Sequence, residues 1–101
     1  MPQLIVFSGS PKEAKDLLNL VEKIAQAGEK TILLLVQEAC EFAATKPFCE
    51  DTQRHGVNLC VLKEDFEARG LLEQVVKSVE IVDYEGWIRL LEECEKVFSW
   101  I

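Results

Sequence analysis

The chain has 101 residues, 49% of them hydrophobic, with eighteen acidic against eleven basic side chains and a net charge of −7. That length suits one domain spanning the whole chain, burying roughly 60–70% of its unfolded surface, and leaves no room for a second. The acidic balance argues against counterion-release binding to nucleic acid by this chain alone and against an anionic membrane surface, and suits docking on a basic partner protein.

Four short apolar blocks, Leu4–Phe7, Ile32–Val36, Val57–Leu62 and Val79–Val82, are nearly continuous in hydrophobic residues. Strands buried on both faces read this way. Between the first two, Ala14, Leu17, Leu18, Val21, Ile24 and Ala25 recur at helical spacing and predict a helix packed on the sheet. Ser10, Pro11 and Glu13 form a helix start: the serine caps, the proline takes the first helical position and the glutamate closes a capping box. Gly28 is placed to end that helix. Ala39, Phe42 and Ala43 predict one helical face after the second strand, and Pro47 starts a short helix through Gln53. His55-Gly56 then turns the chain into the third strand. Phe66–Val76 is helical in pattern with a break at Gly70, and Trp87, Ile88, Leu91 and Cys94 line a last helix before an edge strand at Val97–Ile101. Strands alternating with helices predict an α/β fold: a three-layer α-β-α domain around a mostly parallel sheet of about five strands.

No apolar run reaches the ~18 residues of a membrane span, and no secretory signal precedes Leu4, so the expected compartment is the cytoplasm. The four cysteines, Cys40, Cys49, Cys60 and Cys94, contain no C-x-x-C and have only His55 as an imidazole neighbour in type, so free thiols and no metal are expected. Neither G-x-G-x-x-G nor G-x-x-x-x-G-K is present, and no cofactor is expected. Ser8-Gly9-Ser10-Pro11 leads from a strand into a helix, where backbone N–H groups hold anions; a capped helix without a ligand is the plainer reading. Cys40 falls near a predicted helix start, where the dipole favours thiolate, but Glu38 and Glu41 flank it and a core-facing packing role competes. Cys60 lies in a strand and Cys94 on a helix face, both positions for packing. Asp83, at the carboxyl end of the fourth strand, either caps the last helix or faces a ligand, and Glu64-Asp65 after the third strand has the same two readings. Ser8, Ser10, Cys40, Glu64 and Asp83 are therefore the candidate strand-end pocket.

Lys63-Glu64-Asp65-Phe66-Glu67-Ala68-Arg69-Gly70-Leu71, Ile81-Val82-Asp83-Tyr84, Trp87-Ile88-Arg89-Leu90 and the ending Val97-Phe98-Ser99-Trp100, with Leu33–Glu38 upstream, resemble the DsrH/TusB family of sulfur-relay subunits. The resemblance implies a DsrE-like fold and an oligomer with paralogous DsrE/DsrF-like (TusD/TusC-like) subunits. It implies passage of persulfide sulfur toward 2-thiouridine at a tRNA wobble position or within sulfur oxidation. Relatives with a cysteine of their own place it where Leu20 stands here, and the sulfur-carrying paralogue has one where Leu62 stands, two residues beyond Cys60. The implied role is a structural, non-catalytic subunit of a sulfurtransferase complex. The alternatives are a stand-alone persulfide carrier using Cys40 or Cys60, and a self-associating domain that binds a small ligand at the strand ends.

Overall fold

The structure, a computed structural model, describes residues 2–9, 11–26, 28 and 30–100. Five parallel strands, β1 (Gln3–Phe7), β2 (Thr31–Leu35), β3 (Asn58–Leu62), β4 (Glu80–Val82) and β5 (Lys96–Trp100), form one sheet in the order β4-β3-β2-β1-β5. All the predicted strands are present, and the last is an edge strand; Ile101 lies outside the described residues. The first three crossovers step across the sheet in one direction. Right-handed connection therefore puts α1 (Ala14–Gln26), α2 (Lys46–Arg54) and α3 (Lys63–Ala68) on one face. The fourth crossover runs back from β4 to β5, so α4 (Tyr84–Glu93) covers the opposite face alone.

Two cores follow from this asymmetry. On the three-helix face Ile5, Phe7, Leu33, Leu35 and Val61 pack with Leu17, Val21, Phe42, Phe48 and Phe66. On the other, Leu4, Val6, Leu34, Val36, Cys60, Leu62 and Val82 pack with Cys94, Trp87 and Leu90. The period-2 alternation of β1 sends successive side chains to opposite cores, which is why all five of its residues are buried.

α1 opens through a 3-10 turn at Pro11–Glu13; the predicted cap Ser10, and the side chains of Ala14 and Ala25 in the predicted stripe, lie outside what is described. The segment Gln37–Ala44 is a 3-10 helix that buries Ala39, Cys40, Phe42 and Ala43. At three residues per turn, Ala39–Phe42 and Cys40–Ala43 stack on one face, so Cys40 falls in mid-segment on the buried side. The pattern read at Phe66–Val76 resolves differently: α3 begins at Lys63, directly after β3, and ends at Ala68. Gly70, at φ +69°, donates to Glu67 O (2.9 Å), and Leu71 donates to Phe66 O (3.1 Å). This paired closure needs a left-handed residue that glycine supplies, and it shuts the helix two turns early. A separate 3-10 turn, Leu72–Gln74, follows. Gly86 lets α4 start against β4, since a Cβ there would lie 2.6 Å from Val82 Cγ1.

The apolar residues lining the last helix divide: Trp87, Leu90 and Cys94 face the sheet, whereas Ile88 and Leu91 are 55% and 43% exposed. One helix over five strands has a narrow contact line, and apolar residues on its flank are left outside it. Among the described residues no helix is long and apolar enough to cross a membrane.

Candidate functional site

The sheet reverses its winding between β3 and β4: the chain leaves β3 into α3 on one face and leaves β4 into α4 on the other. Open α/β sheets place ligands at the carboxyl ends beside such a switch point. Glu64, Asp65, Asp83 and Tyr84 gather there, and hydrogen bonds from the backbone already engage the three carboxylates. Asp83 Oδ1 accepts from Gly86 N at 2.8 Å and caps α4. Glu64 Oε2 accepts from Tyr84 N at 3.4 Å, tying α3 to the start of α4, while its Oε1 is shielded from solvent without a partner among the described residues. Asp65 Oδ2 accepts from Gln37 N at 2.6 Å. That bond holds Gln37 in a left-handed conformation, φ 51°, where the chain leaves β2. The acidic pair after β3 thus clips the loops on either side of it.

Asp83→Ala is expected to cost about 1 kcal/mol by removing the cap. Urea unfolding of Asp83→Ala beside Asp83→Ser, which restores a capping oxygen, tests this: equal losses in the two would deny the capping role.

Of the sequence-level candidates, Glu64 and Asp83 are brought together. Ser8 directly follows β1, three strands from β4, about 14 Å away at the usual strand spacing. Ser10 lies outside the described residues. Cys40 is fully buried in the three-helix core beneath the switch-point rim. Burial pushes its thiol up; the Arg69 guanidinium pulls it part of the way back, and Asp65 and Glu41 push up again. The other thiols are also buried and also raised. Cys49 is pushed up to about 11 by burial and then Glu50, and its Sγ donates to Phe42 O at 3.3 Å. Cys60 is pushed up to about 12 by burial and then Glu80, whose Oε2 accepts from Cys60 Sγ at 3.9 Å. Cys94 is raised by burial and Glu93, against a smaller lowering by Lys30. His55 sits exposed at the end of α2, in the turn where it was expected.

A groove of about 450 Å³ runs along the flank of α4 over β2, β3 and β4, with Cys60 in its floor and Lys30, Asn58, Glu80, Arg89 and Glu93 among its walls. Sequence reading passed over it. The available signal was Asn58, a polar residue inside an apolar block, which shares a sheet face with Cys60 and Glu80.

The architecture is shared with the crystal structure of the ychN protein from E. coli, with a TM-score of 0.75 over 99% of this chain and 100% of that one at 15% identity, which defines a DsrE-like α/β fold. A family model described as DsrH like protein matches residues 9–97. Protein TusB of Erwinia tasmaniensis is 31% identical over 83 residues, covering 82% of this chain and 86% of that protein. Protein TusB of Salmonella dublin is 34% identical over 73 residues, covering 71% and 77%. The chain belongs to the DsrH/TusB family of sulfur-relay proteins.

Proposed function

We propose that this chain is a non-catalytic docking subunit of a cytoplasmic persulfide relay complex serving tRNA wobble-uridine 2-thiolation, beside paralogous DsrE/DsrF-like (TusD/TusC-like) subunits that carry the sulfur. One observation supports the docking role above all: the four cysteines are buried and their thiols raised. Sulfur transfer needs a thiolate that attacks a sulfane sulfur, forming Cys–S–SH while the donor leaves as a thiol or thiolate. At pH 7 a thiol at about 12 is ionised in only ~10⁻⁵ of molecules, and Cys60 is only 3% exposed at the floor of the groove. The kinship with proteins named TusB favours tRNA thiolation as the pathway.

Intact mass spectrometry of native protein after incubation with a persulfide donor tests this, with Cys40→Ser and Cys60→Ser alongside. The expected result is no reducible gain. A gain of about 32 Da that one variant abolishes would make this chain a carrier and identify its thiol.

A further inference from the structure

The flank of α4 away from the groove carries apolar side chains that the fold leaves uncovered: Tyr84, Ile88 and Leu91 are 51%, 55% and 43% exposed. At 3.6 residues per turn these three positions form one stripe, a quarter-turn around the helix from the sheet-facing Trp87, Leu90 and Cys94. Gly86, Arg89 and Glu93 line the groove on the opposite flank. The stripe therefore points along the sheet surface toward β1 and β5. Among the described residues β5 pairs only with β1, leaving its other backbone edge open. By register Val97 lies on the α4 face beside Leu4 and Phe98 on the three-helix face beside Ile5, and they are 41% and 45% exposed. The Tyr84 ring stacks on Trp87 with centroids 6.4 Å apart, so the stripe has an aromatic anchor ordered before any contact.

Charge around the stripe selects its occupant. Glu85, Glu92 and Glu95 border it and are all exposed, outnumbering Arg89, one helical turn from Glu85, and Lys96 at the start of β5. A second copy related by a two-fold axis would bring the same glutamates into one shared interface, where like charges oppose each other. We infer that the Tyr84–Ile88–Leu91 stripe and the adjoining β5 edge form the docking surface for a different protein subunit, one that presents an apolar patch bordered by lysines or arginines. This rests on the proposed docking role and places it on the molecule.

The test co-expresses the full chain with the DsrE- and DsrF-like subunits of the same organism and measures assembly by analytical ultracentrifugation at two salt concentrations. Ile88→Glu with Leu91→Glu is expected to weaken assembly at least about thirtyfold, the loss typical of a hot spot. Both sites are exposed, and an unchanged unfolding midpoint is expected. Glu85→Lys with Glu92→Lys and Glu95→Lys is expected to weaken assembly and reverse the sign of its salt dependence. Arg89→Ala with Glu93→Ala, on the groove flank, is expected to leave it unchanged. Wild-type assembly that survives both stripe and rim substitutions overturns this surface and leaves the docking role standing. Failure of the wild-type chain to assemble overturns the docking role itself. Self-association of the isolated chain that Ile88→Glu abolishes overturns the assignment to a different subunit.

Discussion

Replacing Phe66 with alanine is expected to destabilise the protein by about 3–5 kcal/mol, the range for deleting a fully buried aromatic ring. Phe66 is the one buried residue of α3, and it is 0% exposed. A helix of six residues has almost no stability of its own, so α3 exists because this ring anchors it. Two clips depend on that anchor: Asp65 to the Gln37 N–H and Glu64 to the Tyr84 N–H. The loss would therefore spread beyond the cavity, to the loops leaving β2 and β4. Urea unfolding gives the global cost, and amide exchange at Gln37 and Tyr84 reports the clips. Phe66→Leu, which keeps most of the volume, is expected to cost less than about 1.5 kcal/mol. A loss below about 1 kcal/mol for Phe66→Ala would show that α3 is held by something other than its ring.

The second large effect concerns the thiols. In native protein at pH 8 all four cysteines are expected to resist a thiol reagent and to react only as the chain unfolds. For Cys60 the rise from 9.0 to about 12 alone lowers the thiolate population by ~10³, before burial limits access. Stability carries the same signature. A thiol raised in the folded state deprotonates first in the unfolded chain, so its contribution is intact below the ordinary thiol range and is lost as pH rises from about 9 toward 11–12. Near pH 10 the loss is about 1 kcal/mol each for Cys49 and Cys60. Unfolding midpoints at pH 7, 8 and 10 measure it, and Cys60→Ala should flatten the alkaline decline. Rapid native modification of Cys60, with no alkaline decline, would contradict the buried, protonated thiol.

The strands were legible because each is a short, nearly unbroken apolar block, a pattern that a sheet buried on both faces imposes on its residues. Gly56 and Gly70 were legible as breaks because few other residues tolerate their backbone. The 3-10 character of Gln37–Ala44 was not, since apolar residues at 39, 42 and 43 suit periods of both 3.0 and 3.6. At the switch point, the cap from Asp83 is local and readable. Glu64 and Asp65 bond to groups 20 and 28 residues away, and no local pattern announces such pairs. Helical spacing groups Ile88 and Leu91 with Trp87 and Cys94 on the last helix, but it does not show how many stripes the sheet can cover. Six apolar positions, Tyr84, Trp87, Ile88, Leu90, Leu91 and Cys94, span too wide an arc for a helix packed on one side.

The return crossover also sets an order of events during synthesis. β1 is paired on one side by β2, but its other side waits for β5, whose register runs from Gln3 against Lys96 to Phe7 against Trp100. The neighbouring Glu95 N–H donates to Pro2 O at 3.1 Å. Until residues 84–100 have left the ribosome, β1 is an uncharged, apolar edge with its α4-side face bare, the type of segment that recruits other chains into aggregates. The returning helix and strand thus cover the segment of the sheet most open to aggregation.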